Sequence, residues 1–133
     1  MSAENRLALR ESYMQGWYRM DLDLLLDTTA DDFVFDDPAE AAPVTRTDLA
    51  GYMQRWDQRM RDLGGDNQWQ LTHQLRRDEN GLLTDWEWWE VIGTGVQGAA
   101  VILTGNDGVI FERITYFDRA IRHPWLNNRE LAP

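Results

Sequence analysis

The sequence predicts an α+β domain in which helices come first and an antiparallel sheet follows. Apolar residues recur at helical spacing up to Leu63 and then switch to a period of two at Trp69. Three turn signals, Asn80-Gly81, Gly93-Thr94-Gly95 and Asn106-Asp107-Gly108, punctuate the second half like the corners of a meander. No repeat, low-complexity stretch or linker divides the 133 residues, which predicts one domain over 1–133.

The first helix follows from Leu9, Tyr13, Trp17 and Met20 on one stripe, with Glu4, Arg6, Arg10 and Glu11 assigned to other faces. A second short helix is expected over about Leu22 to Thr29. Phe33-Val34-Phe35 is an extended run closed by Asp36-Asp37-Pro38, because proline forces the residue before it out of helical geometry. A third helix is predicted from Asp48 to Leu63, with Thr47 as its N-cap and Gly64-Gly65 as its stop. Strands follow from Trp69 to Arg76, Leu82 to Ile92, Gly98 to Thr104 and Val109 to Asp118. In the first of these Trp69, Leu71, His73 and Leu75 share one face. The tail from Arg119 to Pro133 reads as irregular.

Composition narrows the partners. A net charge of −10 repels phosphate backbones and anionic lipid, so neither nucleic acid nor a membrane surface is an expected partner. The chain has no cysteine, no apolar leader and no stretch approaching the ~20 apolar residues of a span, which gives the expectation of a soluble, cytoplasmic protein. His73 and His123 are far apart and show no metal-ligand spacing, so no metal is expected, and no cofactor motif occurs. Seven tryptophans stand out in so short a chain. They line a cavity or an interface, or they are bulky core packing.

Met20-Asp21-Leu22-Asp23, Ala30-Asp31-Asp32 and Asp36-Asp37-Pro38 together resemble the ketosteroid isomerase pattern of "GDLD", "ADD" and "EDP", without a gap. Gly108-Val109-Ile110 and Tyr116-Phe117-Asp118 are similar to that family's final strand. The resemblance is to the ketosteroid isomerase and SnoaL-like branch of the NTF2-like superfamily. It implies a cystatin-like cone of three helices packed on a curved antiparallel sheet around a pocket, and a homodimer. It also implies that Asp37 is the general base and Tyr13 the oxyanion donor. Trp17, Phe35, Met53, Trp56, Trp86, Trp88, Ala100, Thr115 and Phe117 would line the substrate pocket.

Two positions depart from the pattern. Ketosteroid isomerases place a protonated aspartic acid beside the tyrosine, and that position falls at or near Ala100, with no Asp or Glu between Val91 and Asn106. SnoaL cyclases and limonene-epoxide hydrolases carry an acid three residues before the final Asp of the last strand, where this chain has Thr115.

Each residue also has a structural reading. Asp37 is a base at the mouth of an apolar cavity, or a turn aspartate bonded to its own backbone. Tyr13 is an oxyanion donor or a core tyrosine with an internal partner. His73, on an apolar strand face, is an acid–base group oriented by Asp21, as in the dehydratases that resemble this branch, or a structural histidine. Trp86 and Trp88 face the cavity, or they face a dimer interface on the outer sheet. The functional expectation is a cofactor-free enzyme that isomerises, cyclises or eliminates by proton transfer on an apolar, carbonyl-bearing molecule, with Asp37, Tyr13 and His73 catalytic. The alternative is a non-catalytic small-ligand binder or dimeric interaction module on the same fold.

Overall fold

The computed structural model describes residues 2–66 and 68–117. Among them the chain forms α1 (Ala3–Arg19), α2 (Leu22–Thr28), β1 (Thr29–Asp36), β2 (Val44–Thr45), a 3-10 turn (Arg46–Asp48), α3 (Leu49–Asp62), β3 (Trp69–Glu79), β4 (Leu82–Val91), β5 (Val96–Gly105) and β6 (Gly108–Tyr116). The α+β arrangement is the expected one. Asp118, His123 and the tail from Arg119 lie outside the described residues.

The strands make one sheet in the order β2-β1-β6-β5-β4-β3. The meander β3 to β6 is antiparallel, as the turn signals require, and Asn80 and Gly81 both take positive φ (55° and 77°) in the tight β3–β4 turn. The sheet is nonetheless mixed rather than purely antiparallel, because β1 joins β6 in parallel. Leu25, Phe33, Leu49, Tyr52 and Val109 are essentially without solvent exposure and knit the helices to the inner sheet face.

Local chemistry fixes the helix ends. The Ser2 hydroxyl accepts from the Asn5 amide to start α1, and Met20 ends it in the left-handed region. The Asp21 carboxylate accepts from the Leu24 amide at 3.1 Å and caps α2. The third helix is capped by Asp48 without a side-chain hydrogen bond, and the expected cap, Thr47, lies within the 3-10 turn.

Two faces depart from expectation, that of α1 only in its arginines, since Tyr13, Trp17 and Met20 do face the core. On α1 the buried side includes Arg6, Arg10, Tyr13 and Met14, so two arginines point inward. On β4 the buried side is Leu83, Asp85, Glu87, Trp89 and Val91, which leaves Trp86 and Trp88 on the outer face. The two inversions have one cause. Arg10 pairs with Asp85 at 2.8 Å and with Glu87, so charges on the helix neutralise charges on the strand inside the fold.

A third inversion lies in β3. Leu71 pairs with Trp89, but His73 pairs with Trp88, so Thr72 is an extra residue in the ladder. A bulge of one residue turns everything beyond it to the other face. Trp69 and Leu71 therefore face in, whereas His73 and Leu75 face out.

Candidate functional site

Between α1, α3 and the inner sheet face lies a cavity of about 60 Å³. Its wall is aromatic: Tyr13, Trp17, Phe35, Tyr52, Trp56, Trp69 and Trp89 line it, with Met14, Ile102 and Ile114. Three charged side chains also reach it, Arg10, Glu87 and Glu112. Gly98 lies against the ring of Trp89, where a Cβ would collide with the indole, so its missing side chain sets the position of that wall.

Tyr13 sits on α1 with its hydroxyl donating to Glu112 Oε1 at 2.5 Å, both groups buried. Burial pushes the Tyr13 phenol well up, and the neighbouring Glu112 charge adds to the rise. Glu112 is raised from 4.5 to about 7, chiefly because burial penalises its charge; the Tyr13 hydrogen bond and Arg10 oppose this, and Asp37 adds to it. Glu112 has no ion-pair partner among the described residues, since the Arg10 guanidinium is engaged by Asp85 and Glu87. A carboxyl group that can exchange a proton near neutrality is thus held on the wall of an apolar cavity.

The indole N–H of Trp17 is buried beside it and makes no hydrogen bond of ordinary geometry. It leans toward the Tyr13 oxygen closely enough to oppose the rise in that phenol's pKa. A buried donor without a full partner is costly, and a ligand oxygen would satisfy it.

Asp37 follows β1 and is 2% exposed, but it is not part of the cavity wall. Its Oδ2 accepts from the Tyr52 hydroxyl at 2.6 Å, the Tyr116 hydroxyl at 2.8 Å and Arg59 at 3.3 Å. Its Oδ1 accepts from the Ala39 amide at 2.8 Å. Four donors occupy the lone pairs that a base would need. Burial and the Asp37 charge push the phenols of Tyr52 and Tyr116 up, so both remain donors.

Of the other expected site residues, Trp17, Phe35 and Trp56 line the cavity, while Met53 and Ala100 are buried in the core around it. Thr115 and Phe117 are exposed at the end of β6, and Trp86 and Trp88 are on the outer face. His73 is exposed there as well, with its ring edge-on to Trp88 at 6.3 Å and Nδ1 3.3 Å from the Thr72 hydroxyl. Asp21 is occupied as a helix cap and is not joined to His73. Glu112 was missed by sequence reasoning. A signal existed in β6, where Glu112 keeps a period of two with Ile110, Ile114 and Tyr116 and so sits on the strand's apolar face. Among the described residues no three His, Asp or Glu side chains gather as a metal-binding cluster.

Tyr13→Phe tests the pairing. The variant removes a hydrogen bond that holds the Glu112 pKa down, so the carboxyl should titrate above its wild-type value. Side-chain carboxyl NMR of the two proteins measures this, and a Glu112 titration unmoved or lowered in Tyr13→Phe contradicts the contact.

No family model matches the chain, and no curated protein matches it either. Solved structures do match. An NTF2-like protein from Cytophaga hutchinsonii is 14% identical with a TM-score of 0.64, covering 88% of this chain and 100% of that one. A SnoaL-like protein from Burkholderia thailandensis is 14% identical with a TM-score of 0.60, covering 88% and 98%. A candidate ketosteroid isomerase from Kribbella flavida is 15% identical with a TM-score of 0.59, covering 91% and 84%. The chain has the NTF2-like, cystatin-like fold that its sequence resemblance implied. Identities this low carry the fold and not the chemistry.

Proposed function

We propose that the protein is a cofactor-free enzyme that moves a proton on a small, largely apolar carbonyl compound inside the aromatic cavity, with Glu112 as its base. The observation that carries this reading is a buried carboxyl, shifted to about 7, on the cavity wall, with no ion-pair partner among the described residues. A base is most effective when its pKa lies near the working pH, and desolvation supplies that shift here.

In the proposed step, Glu112 Oε2 takes a proton from carbon next to the carbonyl. The C–H electron pair moves into the adjacent C–C bond, and the negative charge settles on the carbonyl oxygen. Trp17 N–H donates to that oxygen, which gives the cavity a donor where Ala100 provides none. Tyr13 stays protonated and holds Oε1. Return of the proton to another carbon completes an isomerisation, and loss of a leaving group from the β-carbon completes an elimination. Asp37 would serve as the anchor for Tyr52, Tyr116 and Arg59, a positioning role in place of the base role its sequence context suggested. The volume of about 60 Å³ favours a substrate much smaller than the ligands of ~300–1,000 Å³ sites.

Exchange of α-hydrogens of small ketones in D2O, followed by NMR, tests this. The wild type should accelerate exchange, and Glu112→Gln should slow it by about 10²–10⁴. Exchange that survives Glu112→Gln but is lost in Asp37→Asn would sink the assignment and return the base role to Asp37.

The outer sheet face supports the expected homodimer. Leu75 is 61% exposed, and it stands opposite Trp86 at 39%, with Trp88 at 36% next along β4. Val101 and Ala99 continue the patch on β5. Such a flat apolar face fits a second copy related by a two-fold axis. Light scattering should give a dimer for the wild type and a monomer for Trp86→Glu/Trp88→Glu with unchanged far-UV circular dichroism. A wild type that stays monomeric at hundreds of micromolar contradicts it.

A further inference from the structure

The cavity holds an unanswered charge. Arg10, the one cationic wall residue among the described residues, is bound by Asp85 and Glu87, and Asp85 also takes Arg76 at 2.7 Å. Arg76 also meets Glu11 at 2.6 Å, so two arginines meet three carboxylates and the cluster has no cation to spare. Glu112 is outside it. Facing Glu112 are Tyr13 and Arg10 from α1, Asp37 beyond β1, Tyr52 from α3 and Glu87 from β4. Apart from Arg10, every one of these is neutral or negative.

The rest of the wall suits a cation too. Four tryptophans, two tyrosines and a phenylalanine surround the space. Tyr13 meets Trp17 at 84°, Trp17 meets Tyr52 at 83° and Trp56 meets Trp89 at 72°. Rings set at near right angles make corners, so a compact ligand meets π faces from several directions. An ammonium within about 6 Å of such faces is attracted by the ring quadrupoles, most strongly when water is excluded. An anion would meet Glu112, Glu87 and the same negative ring faces. A net charge of −10 draws cations toward the protein as well.

We propose that the cavity takes a small organic ammonium, a methylated amine or a carbonyl compound bearing one, seated against the aromatic wall with Glu112 as its counter-ion. The inference rests on the reading of this cavity as the functional site and names the class of molecule it accepts. An ammonium next to a carbonyl also acidifies the C–H bond between them, the bond that the proposed base would break.

Choline and its uncharged carbon isostere, 3,3-dimethylbutan-1-ol, differ in charge and hardly in shape, so they serve as the probes. Isothermal titration and tryptophan fluorescence should show choline binding at least tenfold tighter than the isostere. With Glu112 titrating near 7, choline affinity should rise about tenfold from pH 6 to pH 8 and then level off, while the isostere shows no such rise. Glu112→Gln should weaken choline at least tenfold and leave the isostere within twofold. Equal binding of the two probes, an affinity for choline insensitive to Glu112→Gln, or no choline binding at millimolar concentration each overturns the inference. The pH series on the wild type reads the same interaction without any substitution. Charge selectivity with no hydrogen exchange on any ketone would uphold the ammonium site and defeat the catalytic reading. Ketone exchange without charge selectivity would do the reverse.

Discussion

Arg10→Met should lower the stability of the domain by about 3–5 kcal/mol, because it strands the buried Glu87 and takes one of two cations from Asp85. Arg10 is 1% exposed, and its partners Asp85 and Glu87 are 0% and 4% exposed. Without it Asp85 keeps Arg76 at 2.7 Å, and among the described residues Glu87 keeps only the Gln74 amide at 3.1 Å to offset its charge. Methionine fills much of the same volume, so the loss is electrostatic more than a matter of packing. Urea unfolding at pH 7 measures it. A loss below about 1 kcal/mol would show that water or Arg76 compensates and that the cluster does not organise the interior. The partner variant, Arg10→Met with Asp85→Leu and Glu87→Leu, should recover most of the stability, since buried ion pairs replaced together by apolar groups commonly do.

The same cluster explains where the sequence could be read and where it could not. Helix and strand order follow from period, turn residues and Pro38, because those signals act locally. The fold resemblance followed from the same order and from the Asp-rich segments, and the structure agrees. Which face of an element is buried is a different question, answered by tertiary partners. Alternation in β4 correctly separates Trp86 and Trp88 from Asp85 and Glu87. Hydrophobicity then assigns the tryptophans to the interior, and that assignment holds only if no cation waits inside to meet the acids. Arg10 on α1 is that cation, meeting Asp85 at 2.8 Å and Glu87.

His73 fails for a separate reason. Period-two patterning assumes an unbroken ladder, and the extra residue at Thr72 moves His73 and Leu75 to the outer face without altering the pattern in the sequence. Tyr13, by contrast, was legible on the wall, because Tyr13 and Trp17 are one helical turn apart and both face the sheet. Asp37 reads in the sequence as a base at a cavity mouth or as a turn aspartate, and the turn contact to the Ala39 amide is there. Its four donors come from Ala39, Tyr52, Arg59 and Tyr116, only the first of which is near it in sequence. Glu112 was illegible as a base because its acidity is set by burial and by a helix distant in the chain.

Glu112→Gln should make the protein more stable at pH 8 and leave it little changed at pH 4. In the unfolded chain this carboxyl titrates near 4.5, and in the folded one near 7. Between those values the native state holds a proton that the unfolded state has released, so stability falls as pH rises through that window. Below it both states are protonated and nothing is lost; above it the loss is complete. The displacement amounts to about 3 kcal/mol at ~1.36 kcal/mol per pH unit. Glutamine is neutral throughout and its amide oxygen can still accept from Tyr13, so the variant escapes the loss. Urea unfolding of both proteins at pH 4, 6 and 8 isolates the effect, because titrating groups not coupled to Glu112 cancel in the difference. A difference that does not grow with pH, or a variant less stable at pH 8, would contradict the burial of an ionised Glu112. The sign matters for function. A side chain whose removal stabilises the fold at neutral pH is not there to hold it together, and if the same substitution abolishes proton exchange, the strain of burying that carboxylate is what makes it a base.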